Sequence, residues 1–254
     1  MAYQRGGSGE PLVLLPGTGC TSHYWGVLRH RLATRFDVIA VDLPGFGDTP
    51  PLARAATAAA FAEAVAVLLD SLGIQQAHLT GNSLGGQVAF ELARLGRARS
   101  ICALSPTGFW TARERRFTVV SLRLTEALGR KLTELPGWLA GGVVTRTVFG
   151  CQLFARPWRV PREEFLDILE RGAASPGLRA VLDGYGPLDP LPDLQGVPTT
   201  IAWGQRDRLL PRRQARRARA ALPDVRHSIL EHCGHIPWWD DPDQVAEVII
   251  RSTG

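Results

Sequence analysis

Short runs of apolar and β-branched residues punctuate the first part of the chain at Leu12 to Leu15, Val38 to Val41 and Ala77 to Thr80. A fourth, Ile101 to Leu104, follows, and a fifth, Thr199 to Trp203, comes after a long gap. Runs this short, bounded by Gly and Pro, read as strands buried on both faces, the pattern of a parallel sheet. Between them the hydrophobic period changes. Thr57 to Leu72 is alanine-rich and sets Phe61, Val65, Leu68, Leu69 and Leu72 at helical spacing, with Gly73 as its stop. Leu84 to Leu95, closed by Gly96, has the same form, and the chain ends with a helix from about Pro211 to Leu222, a strand from Val225 to Leu230 and a helix from about Pro242 to Arg251. Alternating strands and helices of these lengths predict a doubly wound α/β fold with right-handed crossovers.

From about Pro106 to Pro187 the alternation stops. Helical stretches there carry Phe109, Trp110, Phe117, Trp138, Phe149, Phe154, Trp158 and Phe165, with no strand pattern among them. The expected organisation is one domain, with a core of residues 1–106 and 187–254 and a helical insertion of about 107–186.

Composition narrows the function classes. A chain of 254 residues that is 45% hydrophobic can bury one sizeable core. No window approaches about eighteen uninterrupted apolar residues, and Met1 to Gly9 lacks the apolar centre of a signal peptide, so a soluble, cytoplasmic protein is expected. The net charge of +5 comes from arginine, since Lys131 is the sole lysine. No basic run is interleaved with aromatics, which argues against a nucleic-acid partner. The Arg-rich helix faces of the insertion, and the arginines Arg212, Arg213, Arg216, Arg217 and Arg219, read as solvated surface, with no stable membrane association. Cys20, Cys102, Cys151 and Cys233 are far apart and read as reduced thiols, with Cys20 and Cys233 expected near the pocket as packing residues instead of nucleophiles. Nothing in the sequence sets an oligomeric state.

The chemistry centres on Gly81-Asn82-Ser83-Leu84-Gly85-Gly86. Ser83 falls where an apolar run stops and a helix begins, and a serine on so sharp a turn needs small neighbours such as Gly81 and Gly85. Its hydroxyl would lie at a helix start, where unpaired amides favour developing negative charge. A serine hydroxyl attacks a carbonyl only when a base takes its proton and a third group orients that base. His235, in Gly234-His235-Ile236-Pro237-Trp238-Trp239-Asp240, follows the apolar run ending at Leu230, and Asp207 follows the run ending at Trp203. Both fall on loops past the C-terminal ends of strands, where open α/β sheets bind ligands. Asp207 also suits a turn before the helix that Pro211 opens, and Asp42 reads as a strand-end or turn residue. The neighbours His232 and Cys233, with His227 nearby, raise a metal site, but no second pair of suitable spacing occurs, so none is expected.

With Ser83, Asp207 and His235 in this order, the chain resembles the α/β-hydrolase-fold family over nearly its whole length outside the insertion. Leu15-Pro16-Gly17-Thr18-Gly19 resembles that family's oxyanion loop, and Asp42-Leu43-Pro44-Gly45-Phe46-Gly47 resembles its next strand end. Pro16 stands where many members have His. The resemblance implies a mostly parallel sheet of about seven strands, starting at the family's second, and makes the insertion a helical cap. It implies that the backbone N–H groups of Thr18 and Leu84 receive the carbonyl oxygen, and that no cofactor is required. Haloalkane dehalogenases and epoxide hydrolases of the family use aspartate at the position of Ser83. The expected partner is a small, largely apolar molecule with an ester, thioester or lactone carbonyl, contacted by Phe109, Trp110 and Trp238. The "GNS" followed by "GG" also resembles hydrolases that cleave carbon-carbon bonds in ring-fission products, and a non-catalytic receptor on the same fold is the alternative of another class.

Overall fold

The computed structural model describes residues 1–173, 175–187, 193, 194 and 196–254. Seven strands form one sheet: β1 (Tyr3–Gly6), β2 (Glu10–Leu15), β3 (Phe36–Val41), β4 (Ala77–Asn82), β5 (Ala98–Leu104), β6 (Thr199–Gly204) and β7 (Arg226–Leu230). Their spatial order is β1-β3-β2-β4-β5-β6-β7, and every pairing is parallel except that of β1 with β3. Each apolar run of the sequence lies inside a strand. β4 and β6 are buried along their entire length, as strands covered on both faces must be. Alternation then divides the core in two: Val13 and Leu15 pack on one face of the sheet, Leu12 and Leu14 on the other.

β1 contains no apolar run. Its residues alternate between exposed and half-buried at the sheet edge, and it is held by backbone register with β3, Tyr3 opposite Val41 and Gly6 opposite Val38. It completes the sheet of seven.

Helices α1 (Gly26–Leu32), α2 (Ala58–Ser71) and α3 (Leu84–Arg94) connect the first strands. Thr57 accepts the Ala60 amide at 3.1 Å and so caps α2, satisfying one of the donors a helix start leaves open. Between β5 and β6 come α4 (Ala112–Thr133), α5 (Gly137–Ala140), α6 (Val143–Gly150), α7 (Arg162–Ala173) and α8 (Leu178–Asp183), with no strand among the described residues there. The expected return to the core from 187 onward runs through 188–192 and 195, which lie outside the described residues. α9 (Arg213–Ala221) precedes β7, and α10 (Pro242–Arg251) ends the chain with Asp241 accepting the Gln244 amide at 3.0 Å. No helix of the described residues is long and apolar enough to cross a membrane.

Arg212, Arg213, Arg216 and Arg219 are exposed as expected, but two arginines of α9 do more than face solvent. Arg213 and Arg217 both pair with Glu114, a buried carboxylate in the first turn of α4, and Arg217 Nε also donates to the Phe109 carbonyl at 2.7 Å. Glu114 closes a capping box as well: it accepts the Thr111 amide at 2.8 Å, while its own amide donates to Thr111 Oγ1 at 3.3 Å. Burial pushes the Glu114 carboxyl up, but the Thr111 bonds and the two guanidiniums more than reverse this, so its pKa falls below the ordinary carboxylate range. A depressed carboxylate stabilises the fold above its unfolded pKa, and that contribution is lost as pH falls through the lower, folded value. Glu114→Gln is therefore expected to cost about 1 to 2 kcal/mol at neutral pH, the guanidiniums being partly solvent-screened. Urea melts of variant and wild type should converge as the solution is acidified through that range. A gap that persists unchanged in acid would assign the loss to packing instead of charge.

Candidate active site

The order of strands reverses between β2 and β4, which lie side by side with Leu15 opposite Gly81, while β3 lies beyond β2. Ligands of open α/β sheets bind at such a reversal, beyond the strands' C-terminal ends. Two loops emerge there: Pro16 to Gly19 after β2, and Ser83 after β4.

Ser83 joins β4 to α3 with φ 55° and ψ −116°, a left-handed conformation that costs a residue with a Cβ about 1 to 3 kcal/mol. The fold holds it there by three backbone bonds. Its N–H donates to the Leu104 carbonyl at 3.0 Å, and its carbonyl accepts the amides of Gly86 and Thr107, each at 3.1 Å. Glycine is required on both sides: a Cβ at Gly81 would lie 2.1 Å from the Gly85 carbonyl oxygen, and one at Gly85 would lie 2.0 Å from that of Leu15. The turn therefore presses α3 onto the end of β2, next to the Thr18 loop. Leu84 begins α3, and its amide belongs to the first turn, where no carbonyl one turn back exists to accept it.

Asp207 follows β6 and His235 follows β7, and both are buried. His235 Nδ1 and Asp207 Oδ2 are 2.8 Å apart. The other carboxylate oxygen, Oδ1, accepts the amides of Leu209 at 3.0 Å and Leu210 at 2.7 Å. Asp207 thus serves both roles open to it in the sequence, turn former and histidine partner, with a different oxygen for each. Ser83 and His235 line one cavity together with Gly17 and Thr18, and Asp207 stands behind His235. Thr18 Oγ1 is hydrogen-bonded to the Tyr185 hydroxyl just past α8, which fastens this loop to the far end of the insertion.

Other residues position these groups, and the sequence carried no assignment for them. Asn82 is completely buried; its Nδ2 donates to the carbonyls of Leu104 and His235, each at 3.1 Å, and its Oδ1 accepts the Tyr24 hydroxyl at 2.9 Å. Asp240 accepts the amides of Gly234 and Ala155 at 2.9 Å and of Arg156 at 2.8 Å, tying the His235 loop to the insertion. The only sequence signal for either was its place beside Ser83 or in the His235 loop. Asp42 holds its loop by accepting the amides of Ser22 at 2.6 Å and Asp48 at 3.2 Å.

The cavity wall is apolar, with Leu122, Phe149, Leu153, Phe154, Ile168 and Leu178 supplied by the insertion. Phe109, Trp110 and Trp238, expected beside substrate, are not among its lining residues. Phe109 and Trp110 are buried in the core on one side of the sheet, where Trp110 Nε1 donates to the Gly186 carbonyl at 3.0 Å. Trp238 is fully buried on the other, stacked at 4.4 Å on Trp25. Large aromatics more often fill a core than a site, and these three do so.

Of the cysteines, Cys20 lines the cavity, and burial pushes its thiol up to about 12. Burial likewise raises the Tyr24 hydroxyl well above its ordinary value. Both are uncharged at neutral pH. All four cysteines are free. Among the described residues, no group of three or more His, Cys, Asp or Glu side chains could hold a metal ion.

A strained serine between β4 and α3, a histidine and aspartate on later strand ends, and a helical insertion over the same cavity define a hydrolase scaffold. A model of the alpha/beta hydrolase family matches residues 12–248, and the chain belongs to that family of hydrolytic enzymes. It is 32% identical to the uncharacterized protein Rv2715 of Mycobacterium tuberculosis strain H37Rv, over 98% of this chain and 77% of that one. It is also 32% identical to the epoxide hydrolase EphH of the same organism, over 76% of this chain and 93% of that one. Among solved structures, a bacterial membrane phospholipase A, described as a virulence factor, superposes with a TM-score of 0.77 at 27% identity, covering 98% of this chain and 81% of the other.

Proposed function

We propose that this chain is a serine hydrolase that cleaves a carboxylic ester, thioester or lactone of a small, largely apolar molecule through an acyl-enzyme on Ser83. The observation that carries the reading is the bonded His235–Asp207 pair on the wall of the apolar cavity that Ser83 also lines. In this mechanism His235 removes the Ser83 proton through Nε2 as Ser83 Oγ attacks the carbonyl carbon. The amides of Thr18 and Leu84 receive the oxygen as it gains charge, each worth about 3 to 4 kcal/mol in the transition state. His235 then gives its proton to the leaving group, and a water that it deprotonates releases the acid. Asp207 steadies the imidazolium throughout. Helices α4 to α8 act as the cap that keeps bulk water out.

The charge of the wall supports an uncharged substrate. Among the described residues that line the cavity there is no arginine or lysine, and the one carboxylate is Glu126, paired with Arg130. A ring-fission dienoate would bury its carboxylate with no cation to replace its hydration. Epoxide opening is disfavoured by Ser83 itself, because the resemblance assigns that reaction an aspartate nucleophile.

The test is a comparison of kcat/KM for p-nitrophenyl butyrate and for a ring-fission dienoate, run beside labelling by a fluorophosphonate. The neutral ester is expected to be preferred by about 100-fold or more, with rapid labelling of the folded protein. Faster cleavage of the dienoate would move the reading to carbon-carbon hydrolysis, and a folded protein that neither labels nor turns over would make it a receptor.

A further inference from the structure

Eleven of the fifteen large apolar side chains that are exposed among the described residues lie between Phe117 and Trp158. On α4 they form a stripe, Phe117, Val120, Leu124 and Leu128, spaced by three, four and four residues and so on one face. Trp138 and Leu139 of α5 and Val143, Val144 and Val148 of α6 extend the exposed set. Gln152, just past α6, bonds both Ser121 and Thr125 of α4, which ties the end of α6 to the middle of α4. A soluble surface ordinarily scatters such residues singly.

Charge is concentrated in the same segment. Residues 111–160 hold nine arginines and lysines against three glutamates, a net +6, whereas the whole chain carries +5. The rest of the molecule is therefore close to neutral. Arg113 and Lys131 are exposed at the two ends of the α4 stripe, and Arg116 is exposed beside it.

We infer that the outer face of α4, α5 and α6 docks peripherally and reversibly on an anionic lipid surface. Apolar side chains enter the acyl boundary, the exposed Trp138 suits the headgroup level, and Arg113, Arg116 and Lys131 meet the negative lipid charge. A second copy of the chain would bring two faces of the same positive sign together, so it fits this surface poorly. α4 and α6 also line the cavity on their inner side, through Leu122, Gly129 and Phe149. Docking would then bring the mouth of the cavity to the phase in which an apolar ester dissolves, a consequence that rests on the proposed ester chemistry while the docking itself does not.

The experiment is co-sedimentation with vesicles of phosphatidylcholine alone and of phosphatidylcholine with roughly one-third phosphatidylglycerol. The wild type is expected to sediment with the anionic vesicles and to be released by salt, with a blue shift in tryptophan emission. The double variant Leu124→Asp with Val144→Asp is expected to lose partitioning by about tenfold or more, with unchanged cleavage of a water-soluble acetate ester and an unchanged melting temperature. Ser83→Ala should bind vesicles as the wild type does, which separates docking from hydrolysis. Wild type that stays in the supernatant with both vesicles, or a folded double variant that sediments equally, overturns the proposal. A vesicle-free self-association abolished by the same variant, or binding to an acidic protein but not to lipid, does so as well.

Discussion

Ser83→Ala is expected to lower kcat/KM for a soluble carboxylic ester by about 10,000-fold or more, and to abolish fluorophosphonate labelling. The size follows from what is removed. In the proposed mechanism no acyl-enzyme forms without Oγ, and what remains is the polarising effect of the Thr18 and Leu84 amides on a bound carbonyl attacked by water. The backbone at position 83 supplies an internal control. Its φ of 55° is unfavourable for any residue with a Cβ, and the three bonds to Leu104, Gly86 and Thr107 impose it. Ser83→Gly should relieve that strain and be no less stable in urea than the wild type, while being as inactive as the alanine variant. Stability kept and activity lost would identify the strained turn as held for chemistry. Substantial ester hydrolysis in either variant would place the nucleophile elsewhere.

The parts of this molecule that were legible in the sequence are those set by neighbours along the chain. Leu12 to Leu15 and Ala77 to Thr80 announce buried strands because both faces of β2 and β4 are covered, so apart from His78 their positions are apolar or β-branched. Ser83 was legible because the turn demands glycine at 81 and 85 for reasons confined to the end of one strand and the start of one helix. The order of the strands then carried Asp207 and His235 to the same rim without any knowledge of their distance.

What stayed hidden depends on partners far away in sequence. β1 has no hydrophobic signature, since its place is fixed by backbone pairing to β3 at the edge. The α9 arginines look like wet surface until α4 brings Glu114 against two of them. Asn82 and Asp240 act on backbone groups, the carbonyl of His235 in one case and the amides of Gly234, Ala155 and Arg156 in the other, and a backbone group leaves no trace in residue identity. Phe109, Trp110 and Trp238 were misplaced for the converse reason: an aromatic side chain can fill a core or line a binding wall, and only packing distinguishes the two.

Asp207→Asn is expected to yield a folded protein with kcat reduced by about 1,000- to 10,000-fold, and the division of labour between the two carboxylate oxygens explains why. Oδ1 accepts the amides of Leu209 and Leu210, so the asparagine must place its carbonyl oxygen there and turn its NH2 toward His235. That NH2 can only donate. Nδ1 of the imidazole must then accept, which puts the remaining proton on Nε2, the atom that in the proposed mechanism takes the proton of Ser83. The loop keeps both of its anchoring bonds, so the melting temperature should hardly move, whereas Asp207→Ala loses the anchors as well and should be both inactive and destabilised. The pair of variants separates the roles: Nδ1–H, whose proton resonance in wild type reports the bond to Asp207, should vanish in the asparagine variant while the fold persists. An Asp207→Asn enzyme that retains most of its activity would show that His235 gets its orientation from some other group, and would leave Asp207 as the turn former alone.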